Sequence, residues 1–134
     1  MSALIDAEWQ IVGSQAEYLV AVVEDDEGMR QAMRRVLEVA GYKTQLFASA
    51  EDFLATDTAA GAKCLVLDVR LPGMSGLDLH RELVRIGTIP AVVFVTAHDL
   101  AIVRHYATNV GSAYLAKPFL SHELVEAVGR AVTK

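Results

Sequence analysis

From Leu19 onward the chain alternates between short unbroken apolar runs and longer stretches with helical spacing. Leu19-Val20-Ala21-Val22-Val23, Cys64-Leu65-Val66-Leu67 and Ala91-Val92-Val93-Phe94-Val95 are continuous apolar runs, as strands buried on both faces require. Lys43 to Phe47 and Ala113 to Ala116 predict two further strands. Between them, residues 27–40 place Met29, Met33, Val36, Leu37 and Ala40 on one helical face, with Gly41 as the stop. Ser49 predicts the cap of a short helix through Ala55, with Asp52 in its first turn. Residues 76–86 predict a helix that turns Leu79, Leu83 and Ile86 inward. Residues 99–110 predict another, ended by Gly111, and Ser121 caps a last helix carrying Leu124, Val125 and Val128.

Five strands alternating with five helices imply a parallel sheet with helices on both faces. The expected architecture is α/β, a flavodoxin-like (βα)5 three-layer sandwich with strand order 2-1-3-4-5. Such sheets bind ligands at the carboxyl ends of their strands, near the point where strand order reverses. Residues 18–134 read as this one domain and residues 1–17 as a loosely held leader, despite its apolar Leu4, Ile5, Trp9, Ile11 and Val12.

Composition narrows the function classes. A net charge of −5 argues against broad electrostatic binding to nucleic acid. No run of about 20 apolar residues predicts a membrane span, and Asp6 and Glu8 occupy a terminus where a secretory signal would be basic. The single cysteine, Cys64, has no internal disulfide partner, which fits a cytoplasmic protein, and it reads as a buried strand residue. His80, His105 and His122 lack metal-ligand spacing and read as exposed.

The polar residues that matter stand where the strands stop. Strand 1 ends in Glu24-Asp25-Asp26, strand 3 in Asp68, strand 4 in Thr96 and strand 5 in Lys117. In a parallel sheet these ends converge on one crevice. Carboxylates gathered there repel one another and call for a cation, and hard oxygen ligands that leave room for water suit Mg²⁺ or Mn²⁺. A carboxylate held beside a metal is a competent phosphoryl acceptor when its phosphoryl oxygens are neutralised. Lys117 supplies a charge and Thr96 a hydrogen bond, so the chemistry suggested is in-line transfer to an Asp68 oxygen. Singly, each feature has a plainer meaning: an acidic triplet at a helix start, a cap, a turn threonine, a solvated Lys-Pro loop. Their joint occurrence on four strands, all at one end, favours the site.

Four motifs together resemble the receiver domains of bacterial two-component response regulators over residues 18–133. They are Val22-Val23-Glu24-Asp25 with Arg30, Leu67-Asp68-Val69-Arg70-Leu71-Pro72-Gly73-Met74-Ser75-Gly76, Val95-Thr96-Ala97, and Tyr114-Leu115-Ala116-Lys117-Pro118-Phe119. The wording around Asp68 is closest to receivers of nitrogen-fixation and light-regulator transcription factors. The resemblance implies a signalling domain, not an enzyme with a substrate of its own. It makes Asp68 the phosphoacceptor and a metal ligand, Asp25 a direct ligand, Glu24 a ligand acting partly through water, and the Arg70 carbonyl a further ligand. Thr96 and Lys117 would hold phosphoryl oxygens, Tyr114 would be the switch aromatic, and Pro118 would follow a cis peptide. Glu24 departs from the commoner aspartate, and Asp26 reads as a helix cap. Gly73 and Gly76 would serve the turn after Asp68.

The same resemblance implies a sensor histidine kinase or histidine phosphotransfer protein as phosphodonor, and a downstream protein or a missing output domain as target. It also sets Arg70 and His98 beside the path of the hydrolytic water, where they would tune phosphoryl lifetime. In the helix 99–110, Leu100, Val103, Ala107 and Val110 form an inward stripe. Ile102 and Tyr106 lie on another face, as half-buried flank or as a contact patch for a homodimer through this helix, the fifth strand and the last helix. Two other classes fit the residues less well. An Asp-nucleophile phosphatase needs a cap and a second acid that the chain does not obviously supply. An FMN-binding flavodoxin needs a loop rich in Ser, Thr and Gly after strand 1, where this chain is acidic.

Overall fold

The computed structural model describes residues 18–97 and 100–133. The leader, residues 1–17, and His98 therefore lie outside the described residues. The strands are β1 (Leu19–Val23), β2 (Lys43–Phe47), β3 (Cys64–Asp68), β4 (Ala91–Thr96) and β5 (Ala113–Ala116). The helices are α1 (Glu27–Val39), α2 (Ala50–Leu54), α3 (Thr58–Gly61), α4 (Gly76–Ile86), α5 (Leu100–Val110) and α6 (Ser121–Val132). The sheet is parallel throughout, in the order β2-β1-β3-β4-β5.

Period-two alternation sorts the strand residues into two cores. Ala21, Val23, Leu65, Leu67, Val92 and Phe94 face one side, against Phe53, Leu79, Leu83, Val103 and Ala107. Val20, Val22, Cys64, Val66, Val93 and Val95 face the other, against Met33, Leu37, Leu124 and Val128. Because both faces are covered, β1, β3 and β4 are apolar throughout except at the last residues of β3 and β4, Asp68 and Thr96. Burial pushes the Cys64 thiol up to about 12, so the cysteine stays protonated inside the second core.

Local chemistry fixes the helix starts. The Asp26 carboxylate accepts the Met29 N–H at 2.7 Å, Ser49 Oγ accepts from Asp52 at 3.0 Å and Ser75 Oγ accepts from Asp78 at 3.1 Å. Ser121, expected as a cap, is instead the first helical residue. Leu120 stands at the cap, and its N–H donates to the Glu123 carboxylate at 2.7 Å. Thr58–Gly61 adds a sixth helix that the pattern did not predict. Its four residues are too short to show a periodicity.

Two helical faces also differ from expectation. His80 is buried, at 4% exposure, because Gly76, Leu79, His80 and Leu83 share the inward face of α4. On α5 only Val103 and Ala107 are buried, while Leu100 and Val110, its first and last residues, are each 40% exposed. Among the described residues, no helix is long and apolar enough to cross a membrane.

Candidate functional site

Glu24, Asp25, Asp68, Thr96 and Lys117 all fall at the carboxyl end of the sheet, where β1, β3, β4 and β5 stop. Carboxylate oxygens of Glu24, Asp25 and Asp68 lie within 4.8 Å of one another. Lys117 Nζ bridges two of them, donating to Glu24 Oε1 at 2.5 Å and to Asp68 Oδ2 at 3.2 Å. Glu24 and Asp68 are buried, Asp25 is exposed, and Thr96 is buried at the last position of β4.

Backbone bonds hold each loop. The Glu24 N–H donates to Phe47 O at 3.0 Å, Val69 N–H to Val95 O at 3.0 Å and Lys117 N–H to Thr96 O at 2.8 Å. Arg30, one turn into α1, turns its guanidinium back onto the acidic loop and donates from Nη1 to Glu24 O at 2.8 Å. After Asp68 the chain curls so that the Arg70 N–H donates to Asp68 Oδ1 at 3.1 Å and the Gly76 N–H to Val69 O at 3.0 Å. Gly76 is required there: a Cβ would sit 2.2 Å from Asp68 O, a backbone atom that cannot yield. Lys117-Pro118 is cis, as expected.

The charges do not balance locally: three carboxylates surround one ammonium. Burial pushes the Glu24 carboxyl above its ordinary range, and Asp68 adds to that. The Lys117 hydrogen bond offsets only part. Asp25 is also raised, by desolvation and then by Glu24. Burial alone would lower Lys117, but its bond to Glu24 and the Asp68 charge outweigh that and raise it. A cluster of hard oxygen donors with excess negative charge fits a divalent cation of the Mg²⁺ kind.

The other expected site residues are farther out. Tyr114 lies on β5, in register with Phe94 and partly buried against the first core. The Arg70 residue is exposed on the loop. Tyr106 is half-buried, its hydroxyl 2.8 Å from His80 Nδ1 and its ring 5.1 Å from Arg81 Cζ, whereas Ile102 is 62% exposed. One contact had no signal in the sequence. The Glu51 carboxylate on α2 accepts the Met74 N–H at 2.8 Å across 23 positions.

A doubly covered parallel sheet with an acidic crevice and one lysine at its carboxyl edge places the chain among the doubly wound α/β domains that carry their sites at the strand ends. Within that class, the family model described as response regulator receiver domain matches residues 20–129, and the chain belongs to that family. It is a receiver domain of two-component response regulators. Nodulation protein W of Bradyrhizobium diazoefficiens is 35% identical over 95% of this chain and 58% of its own length. Transcriptional regulatory protein FixJ of Azorhizobium caulinodans is 36% identical over 81% of this chain and 52% of its own. Among solved structures, the response regulator StyR superposes with a TM-score of 0.80 at 35% identity, covering 87% of this chain and 60% of that one. A receiver protein of Burkholderia phymatum gives 0.73 at 36% identity, covering 87% and 95%. The chain thus spans little more than half the length of these two curated relatives.

Proposed function

We propose that this domain accepts a phosphoryl group on Asp68 in a Mg²⁺-dependent reaction and passes the signal through a changed partner surface. The observation that carries the reading is Lys117 Nζ reaching both Glu24 and Asp68 within a cluster of three carboxylates. Glu24, Asp25, Asp68 and the backbone carbonyl of Arg70 would hold the metal. When bound, it would supply charge neutralisation for the incoming phosphoryl oxygens.

The chain's own residues do the rest. An Asp68 carboxylate oxygen forms the bond to phosphorus while the donor's bond breaks. From a phosphohistidine donor, the departing imidazole nitrogen takes up a proton. Lys117 already stands at Asp68, so the transferred group arrives next to a fixed cation. Thr96 lies on the adjoining strand, where its hydroxyl offers a hydrogen bond. Movement of Thr96 toward the phosphoryl group would open space for Tyr114 to turn inward, changing the surface of α5, β5 and α6. Ile102 on that surface suits a homodimer or partner contact. Arg70 and His98 would set the lifetime of the phosphoryl group, Arg70 as a permanent cation. The donor would be a sensor histidine kinase or a histidine phosphotransfer protein, the target an output domain or a separate protein, and the exchange would take place in the cytoplasm.

Acetyl phosphate and Mg²⁺ should add one phosphoryl mass to the wild type and none to Asp68→Asn. An adduct retained by Asp68→Asn would sink the assignment. With Mg²⁺ and beryllofluoride, the amide resonances of residues 97–120 should move; an unchanged spectrum there would refute the switch.

A further inference from the structure

The loop between Asp68 and α4 carries the Arg70 carbonyl of the proposed metal site, and α2 reaches across to hold it. The Glu51 carboxylate accepts the Met74 N–H at 2.8 Å. It also lies over the Gly73 backbone, where a Cβ would come within 2.4 Å of Glu51 Oε2. Gly73 has φ +77, which strains any side chain there, and an added Cβ would push the flexible Glu51 carboxylate aside. Leu71 and Met74 pack against the first core on either side of the turn. The polar anchor and the apolar anchors therefore act on the same few residues. The Met74 N–H holds the Glu51 carboxyl below its ordinary range, so the acceptor is ionised and its hydrogen bond charge-assisted.

We propose that Glu51 is a positioning residue for phosphorylation: by clamping the 73–74 turn it holds the loop that presents Asp68 and the Arg70 carbonyl. This rests on Asp68 being the phosphoacceptor. Glu51 touches neither the donor nor the reacting oxygen. It acts through the backbone, as the hydrogen-bond acceptor of the Met74 N–H. Glutamine keeps an acceptor oxygen at nearly the same reach, while alanine removes it.

The test follows phosphoryl adduct formation from acetyl phosphate by intact mass, across a Mg²⁺ series, for the wild type, Glu51→Gln and Glu51→Ala. Glu51→Ala should slow the reaction roughly fivefold and raise the Mg²⁺ concentration for half-maximal rate, as loss of a charge-assisted bond predicts. Glu51→Gln should stay within about twofold of the wild type. Exchange of the Met74 amide should accelerate in Glu51→Ala while amides of β1 and β3 keep their protection. Gly73→Ala displaces the clamp by a separate route, so its rate defect should not add to that of Glu51→Ala. A wild-type adduct with an equally fast Glu51→Ala overturns the Glu51 role alone. A Glu51→Gln as slow as Glu51→Ala overturns it too, because charge and not the bond would then matter. No adduct on Asp68 in the wild type overturns both this inference and the phosphoacceptor reading.

Discussion

The two ends of the sheet are built from the same apolar strands, yet they bury opposite kinds of surface. At the carboxyl end Glu24, Asp68 and Thr96 are enclosed, and a half-buried lysine joins the two carboxylates. At the amino end the backbone closes on itself: Lys43 N–H donates to Tyr18 O at 3.1 Å and Lys63 N–H to Leu19 O at 2.8 Å. Beside that edge lies a cavity of about 460 Å³ with walls that include Val84, Ile89, Pro90, Val110 and Ala131. His80 is its buried titratable wall. The difference teaches where this fold tolerates strain in its charges. Buried carboxylates weaken a protein unless they are paired, and here they collect at the end that the strand topology reserves for ligands.

The strongest contrast between the ends should come from the same substitution made at each. Gly76→Ala drives a methyl group into the Asp68 backbone and should cost about 2–4 kcal/mol of stability. Gly129→Ala, on α6 near Tyr42, meets only the Tyr42 hydroxyl at 3.9 Å and should stabilise by about 0.5–1 kcal/mol through helix propensity. Denaturant titration of both variants checks the pair. Equal effects would erase the contrast.

A smaller effect should appear in the pH dependence at the carboxyl end. Glu24 binds its proton more tightly folded than unfolded, so native stability falls as pH rises from the ordinary glutamate range through the raised native value. Glu24→Gln lacks that penalty. In metal-free buffer it should be more stable than the wild type by about 1–2 kcal/mol at neutral pH. The gain should shrink as pH falls toward the ordinary glutamate range. Thermal melts across pH 4–8 measure it, and a pH-independent difference would refute the cause.

The smallest effect belongs to the amino end and has the opposite sign. Burial first, and Arg81 second, hold His80 below its ordinary range. The Tyr106 hydroxyl stands 2.8 Å from its Nδ1, and Arg130 lines the same cavity. A depressed histidine stabilises the fold above its unfolded value, and that contribution is lost as pH falls through the native value. Replacing it by His80→Gln should flatten the acid side of the stability curve by less than about 1 kcal/mol. The same melts should show no flattening above neutral pH.

The sequence made one end of the molecule far more legible than the other. Strand runs and their polar last residues announce the carboxyl end, because a side chain placed at a strand end has few places to go. Asp26 as a cap and Cys64 as a core residue are likewise local readings, whereas the cis bond before Pro118 follows from the family resemblance. His80, expected to be exposed, is buried because its position on the helix outweighs its polarity. Its spacing with Gly76, Leu79 and Leu83 marks the inward stripe of α4. The Tyr106 hydroxyl beside it and the Glu51–Met74 bond join residues 26 and 23 positions apart. No local pattern encodes such pairs, since they exist only once helices have packed.

The hydrogen-bond ladder of the sheet runs one rung past the strands. Glu24 N–H reaches Phe47 O, Val69 N–H reaches Val95 O and Lys117 N–H reaches Thr96 O. Each loop is stitched sideways to its neighbour at a residue that carries a site side chain or adjoins one. In mechanical terms the site rides on a shared chassis, with Thr96 and Lys117 joined directly through the backbone. Anyone rebuilding this domain for new inputs or outputs has freedom on the outer helix faces, where no rung is touched. The last rung of each strand is the part to leave alone.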